Sequence, residues 1–349
     1  MRVLEASGTP NAIGRAHGEA FGQEIRSYMH DRRELSLLGT SLSASEVTEI
    51  AEAMLDAHRD YDLDLFDEMV AMADAAEISP AEAIIVGGYT DFIDTVRAVA
   101  DGKAMEDTCT AVITPNEQSG GAGFLAQTWD MHASATPHVF MLDVRPVGAP
   151  RALAFTTHGT VGQIGMNEAG IAVGINNLTV LDGGIGVTWP FVVRKVLRQT
   201  AFDDALACIV DANLAGGHNF LLRDDHDRGA SVEATPTQTA IAELGSGPLV
   251  HTNHCVFPNT QGIEASRPAE LNANSLSRLA DATSLLQDNE VHTADSLMTL
   301  LRDESSICRH PDPPFNYESS GAVIMCPRTR DMWAAWGIPS ESDFEHFDV

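Results

Sequence analysis

The chain has 349 residues, 44% of them apolar, enough for a large core in one layered fold. Lys and Arg number 21 against 50 Asp and Glu, a formal charge of −29, which repels phosphates, so neither nucleic acid nor an anionic membrane is expected as a partner. The five cysteines, 109, 208, 255, 308 and 326, are odd in number and form no C-x-x-C pair, which argues against a zinc ribbon or dithiol redox motif and fits a reducing cytoplasm.

Residues 1–8 lack the apolar stretch of a signal peptide, and no apolar run approaches the roughly 18 residues of a membrane span. Residues 11 to about 100 read as helical. Ser43 and Glu46 have the spacing of a capping box. Leu63, Phe66, Met69, Val70 and Ala73 recur at helical spacing, and Ser79-Pro80-Ala81-Glu82 opens a further helix with Pro at its first position. Asp101-Gly102-Lys103 reads as an exposed loop.

From Cys109 the apolar period changes to two. Cys109–Thr114 and Phe124–Trp129 predict a hairpin joined through the turn-rich residues 115–123. Strands are predicted at 139–144, 152–157, 162–166, 171–176, 219–223, 230–233, 239–243, 249–252, 320–325 and 331–335. Helices are predicted at 191–199, 202–210, 275–286 and 294–301. Runs of strands flanked by runs of helices indicate an α+β fold with mainly antiparallel sheets.

The chain has no G-x-S-x-G elbow, Walker A loop, H-E-x-x-H or strand-borne G-x-G-x-x-G. His251 and His254 lie three apart on a predicted strand, where they face opposite sides, so neither a metal nor a cofactor is expected. Cys109 stands where helical texture gives way to strand texture. If the Thr108–Cys109 bond is cut, Cys109 carries a thiol and an α-amine, a nucleophile and a base on one residue. Asp130, closing the partner strand, is expected to reach the turn end of the Cys109 strand. Asn253, at a strand end, is a candidate donor to an oxyanion.

A set of elements in chain order carries a resemblance: Gly14-Arg15-Ala16-His17-Gly18, Asp107-Thr108-Cys109-Thr110, Gln127-Thr128-Trp129-Asp130, residues 165–172, Asn176-Asn177-Leu178, Gly217-His218-Asn219-Phe220, His251-Thr252-Asn253-His254 and Asn274-Ser275-Leu276-Ser277-Arg278. Together they resemble the acyl-coenzyme A:6-aminopenicillanate acyltransferase family of self-cleaving cysteine N-terminal-nucleophile enzymes. The resemblance implies a four-layer αββα sandwich of two mainly antiparallel sheets, the N-terminal-nucleophile hydrolase fold. It implies cleavage between Thr108 and Cys109, leaving residues 1–108 as a small helical subunit bound to a catalytic subunit, 109–349, within one integrated domain. It assigns Cys109 as nucleophile, Asp130 as its positioning group and Asn253 as oxyanion donor.

The expected activity is hydrolysis of a linear N-acyl amide through a thioester on Cys109, with no cofactor and a small-molecule amide as substrate. The alternatives are acyl transfer to an amine such as a β-lactam nucleus, a thiol hydrolase served by His17 or His254 without cleavage, and a non-catalytic binding protein. Trp189, Phe257 and Ser320 are the candidate substrate contacts, with Phe191 beside them.

Overall fold

The computed structural model describes residues 1–100, 108–288, 291–313 and 316–349. The loop expected at residues 101–103 lies outside the described residues.

The N-terminal third is helical, as expected: α1 (Pro10–Leu37), α2 (Ala44–Ala53), α3 (Leu55–Tyr61), α4 (Leu63–Ala75), α5 (Pro80–Gly87) and α6 (Tyr89–Ala100). The Ser43/Glu46 capping box forms, and Ser79 with Glu82 makes a second one, each satisfying N-terminal N–H groups that a helix leaves unpaired. A short strand precedes them. It is β1 (Val3–Gly8), which pairs in parallel with β4 (Val139–Pro146). Its mostly solvated residues show no clean alternation, so the sequence did not announce it.

The remaining strands of the first sheet run antiparallel in the order β1-β4-β5-β6-β7-β8-β9-β10, where β5 is Ala152–Thr157, β6 Ile164–Asn167, β7 Ala172–Leu178, β8 Gly217–Arg223, β9 Gly229–Ala234 and β10 Thr239–Glu243. The second sheet is antiparallel throughout: β11 (Leu249–His251), β2 (Ala111–Ile113), β3 (Leu125–His132), β12 (Tyr317–Cys326), β13 (Asp331–Trp336) and β14 (Glu345–Asp348).

The sheets stack face to face, β2 and β3 against β7 and β8. Helices α1, α7 (Trp189–Val196) and α8 (Phe202–Val210) cover the outer face of the first sheet. Helices α10 (Ala269–Gln287) and α11 (Ala294–Leu301) cover the second, and a short helix, α9 (Pro258–Gln261), lies against β10. This is the expected αββα sandwich.

One side chain locks the sheets together. Strand β6 ends before Ile175, leaving its backbone without a ladder partner on that side. Gln127 reaches across from β3, accepting from the Ile175 N–H at 2.8 Å and donating to its carbonyl at 3.1 Å. A Cβ on Gly174 would sit 2.3 Å from Gln127 Oε1, so a larger residue there would displace the amide from these two bonds. The lock brings Asn176 of β7 over the start of β2.

Three imidazoles lie under the α1 layer, with His17 and His158 buried and His138 half-buried. His17 accepts from the Gly159 N–H at 3.2 Å and packs on Phe140, while His138 and His158 approach within 3.2 Å through their Nδ1 atoms. Burial lowers the pKa of His17 and of His138 to about 4, and of His158 further. An unfolded histidine titrates near 6.5, so below that pH the unfolded chain takes up protons that the folded rings refuse. The resulting stability is therefore present above about pH 6.5 and lost as the pH falls towards 4. Melting temperature measured from pH 7.5 to 4.5 is expected to fall less steeply in His158→Phe than in the wild type. Parallel curves would contradict this account.

Candidate active site

Register builds the site. Strands β2 and β3 pair with Ala111 opposite Gln127, and continuing the count places Thr108 opposite Asp130, where an isolated bridge forms. The regular strand is shorter than expected, Ala111–Ile113, so Cys109 and Thr110 form its approach. Asp130 therefore lies at the open end of the hairpin, and not at the turn end as the sequence suggested. Thr108, Cys109 and Asp130 are all buried.

Cys109 is held through its backbone. Its N–H donates to Asn253 Oδ1 at 2.6 Å. Its carbonyl accepts from Arg278 Nη1 and, at 3.4 Å, from Asn176 Nδ2. Asn253 Nδ2 donates to the Asn177 carbonyl at 3.1 Å, and the Asn253 N–H donates to Ser275 Oγ at 2.9 Å. In the intact chain Asn253 thus presents its oxygen to the Cys109 nitrogen, with one of its two amide hydrogens committed to Asn177.

Arg278 joins these groups. Besides the Cys109 carbonyl it donates to Asn253 Oδ1 at 3.0 Å, to Thr110 Oγ1 at 3.1 Å and, through Nε, to Asn274 Oδ1 at 2.9 Å. Burial lowers its pKa to about 10, opposed by Asp130 and by Cys109, so it stays a cation near neutral pH. Burial raises the Asp130 carboxyl above its ordinary range, against the pull of Arg278 and a 2.7 Å bond from the Ser319 hydroxyl. Arg309 extends the cationic side, donating to Thr108 Oγ1 at 3.2 Å.

The structure brings Cys109, Thr108, Asp130 and Asn253 together. Of the three candidate substrate contacts, Trp189 and Ser320 are engaged by other groups. Trp189 starts α7 on the outer face of the first sheet, where its indole donates to Thr90 Oγ1 at 3.0 Å and its N–H donates to Asp91 Oδ2 at 2.6 Å. Phe257 caps α9 and is half-buried. Ser320 is buried at a bulge in β12 and accepts from Thr136 Oγ1 at 2.9 Å, while its neighbour Ser319 faces Asp130. His254 is engaged by Ser275 at 2.8 Å, and burial lowers its pKa to about 4.

Arg278, Ser275, Ser319, Asn176 and Arg309 carried no assigned role in the sequence reading. A signal for two of them exists. The buried stripe of α10 is Leu271, Ser275, Arg278, Ala282 and Leu286, at helical spacing. A hydroxyl and a guanidinium inside an apolar stripe require polar partners beneath the helix.

The model for "Acyl-coenzyme A:6-aminopenicillanic acid acyl-transferase" matches residues 116–328, a segment that begins beyond Cys109 and contains Asp130, Asn253 and Arg278. The 40 kDa form of acyl-coenzyme A:6-aminopenicillanic-acid acyltransferase from Emericella nidulans is 26% identical over 319 residues, covering 88% of this chain and 85% of that protein. Among solved structures, a Caenorhabditis elegans N-acylethanolamine-hydrolyzing acid amidase ortholog superposes with a TM-score of 0.46 at 14% identity, over 63% of this chain and 93% of that one. A conjugated bile acid hydrolase variant from Clostridium perfringens gives 0.45 at 10% identity, over 68% and 97%. These two superpositions are too loose to bear on function. The sequence match extends over more than half of the residues, and the chain belongs to the acyl-coenzyme A:6-aminopenicillanic acid acyltransferase family.

Proposed function

We propose that this protein is a self-processing cysteine amidohydrolase that cleaves linear N-acyl amides. The observation that carries the reading is the convergence on Cys109. Asn253 holds its nitrogen, Arg278 holds its carbonyl, and the bridge from Thr108 to Asp130 holds the residue before it.

In the precursor the Cys109 sulfur attacks the Thr108 carbonyl carbon. The C–N bond breaks as the acyl group moves from nitrogen to sulfur, and water then releases Thr108 as a carboxylate. The freed α-amine has an ordinary pKa of about 7.7–8.0 beside a thiol near 8.5, so it accepts the thiol proton near neutral pH. The thiolate attacks the substrate carbonyl. Asn253 Oδ1 keeps hold of the amine, and the uncommitted hydrogen on Nδ2 serves the oxyanion. The amine product leaves with a proton, and water resolves the thioester. His17 and His254 are held by other partners, which favours the α-amine as base.

Residues 1–108 stay attached by buried contacts. His58 lies 2.9 Å from Thr188 Oγ1, Asp91 holds the Trp189 N–H, and Arg194 meets Glu68 at 3.4 Å. Among the described residues no helix is long and apolar enough to cross a membrane.

Incubation with a panel of N-acyl amines, with and without a competing amine, tests the reading. Free acid is expected at a rate independent of the added amine. A new amide that displaces the acid in step with acceptor concentration would establish the acyltransferase instead. Absence of turnover together with an unlabelled Cys109 in the presence of a thiol-directed acylating probe would establish a binding protein.

A further inference from the structure

Of the His251–Thr252–Asn253–His254 motif the proposed mechanism uses only Asn253, and His251 has a partner of its own. His251 ends β11 with its ring turned to the first sheet, where Nε2 lies 2.7 Å from Glu233 Oε1. Both side chains are buried. A buried carboxylate is costly unless every lone pair finds a donor. Glu233 finds its donors within one short segment. Oε1 also accepts from the Val256 N–H at 2.7 Å, and Oε2 accepts from the Thr260 hydroxyl. These bonds hold the Glu233 carboxyl below its usual range despite burial.

The three tethers enclose Asn253. His251 precedes it by two residues, and Val256 and Thr260 follow it. Besides the bonds that Asn253 itself makes to Asn177, Ser275 and Arg278, the segment carrying the Cys109 contact is thus tied at three points to one carboxylate on β9, a strand paired on both sides by β8 and β10. The same face of the sheet adds a second line of bonds. Ser231 Oγ donates to Asn219 Oδ1 at 2.7 Å, Asn219 donates to Asn176 Oδ1 at 3.1 Å, and Asn176 reaches the carbonyls of Cys109 and His251, each at 3.4 Å. A loop residue that must meet a reacting nitrogen gains precision when its loop is anchored to a sheet.

We propose that Glu233 is the positioning residue for Asn253: by binding His251, Val256 and Thr260 together, it sets the height and orientation at which the Asn253 amide meets the Cys109 nitrogen. The inference rests on the proposed use of Asn253 at Cys109, and two experimental arms separate the two claims.

The first arm needs no catalysis. In the uncleaved Cys109→Ala protein, Glu233→Met is expected to speed hydrogen exchange at the residue-109 amide by about tenfold or more, with α8 unchanged, because the Asn253 acceptor drifts away. Unchanged exchange at residue 109 would overturn the proposal. The second arm follows self-cleavage and turnover. Glu233→Met is expected to slow both by roughly 10²-fold with KM unchanged, as a misplacement near 1 Å does. If Glu233 acts through Asn253, adding Glu233→Met to Asn253→Ala costs nothing further. Rates at the wild-type level, or costs that multiply, would overturn it.

Should Glu233→Met not fold, Thr260→Val removes one tether and is read by the same two criteria, with an expected loss of about threefold to tenfold. A wild type that remains one chain and turns nothing over refutes the proposed function, and the exchange arm still decides the place of Glu233.

Discussion

Wild-type protein is expected to yield two fragments, residues 1–108 and 109–349, whereas Cys109→Ala is expected to remain one chain without turnover. The reason is stoichiometric. On the proposed mechanism the same sulfur accepts the Thr108 acyl group once, during maturation, and then accepts every substrate acyl group. Removing a nucleophile from a concerted site costs on the order of 10⁶ in rate. Intact mass of the purified proteins reads the result directly, because it reports cleavage, nucleophile and fragment boundary together. The methyl of alanine leaves the backbone bonds to Asn253 and Arg278 in place, so the variant is expected to fold. An intact, active wild-type chain would rule out the N-terminal cysteine. Serine at 109 offers a graded control, since a hydroxyl can undergo the same shift but is the weaker nucleophile.

Arg278→Met is expected to give the largest loss of stability at this site, together with loss of self-cleavage. Arg278 is buried among acceptors: the Cys109 carbonyl, Asn253 Oδ1, Thr110 Oγ1 and Asn274 Oδ1. Removing the guanidinium takes a charged donor from each of these acceptors, and a buried polar group left unpaired costs roughly 1–3 kcal/mol, so a total of several kcal/mol is expected. That is a large share of the roughly 5–15 kcal/mol that keeps a domain folded.

The pH dependence has a definite sign. Burial already raises the Asp130 carboxyl, and loss of the Arg278 cation raises it further. A carboxyl whose folded pKa lies above its unfolded value destabilises the fold when ionised, so the penalty is full above the folded pKa and shrinks on acidification towards about 4. Asp130→Asn in the Arg278→Met background is expected to restore part of the stability and none of the cleavage. Denaturant midpoints at two pH values and intact mass test both statements. A variant that self-cleaves at the wild-type rate would remove Arg278 from the site.

Much of this protein was legible in local pattern. The change of period at Cys109 marked the first strand of the second sheet, and β5, β10, α8 and α11 have the bounds that their alternation or helical spacing implies. The hairpin at 109–132 was legible too, because once two strands pair, register is arithmetic: Ala111 opposite Gln127 puts Thr108 opposite Asp130. What the pattern misjudged was which end of the hairpin this is, since the residue count gives the pairing and the direction of the chain gives the end.

Tertiary structure decided the rest. Ser319 and Ser320 are neighbours of one type, and only the bulge between Ser319 and Gly321 determines which of them faces Asp130, because one extra residue inverts the alternation of a strand. Trp189 has the composition of a pocket wall, yet α6 supplies Thr90 and Asp91 to it on the outer face of the sheet, a contact between segments about a hundred residues apart. Arg278 and Glu233 come from a helix and a strand on opposite layers and meet only around Cys109 and Asn253. Period and spacing report which side of an element is buried. They do not report what lies opposite it, and the chemistry of this site resides in those opposite partners.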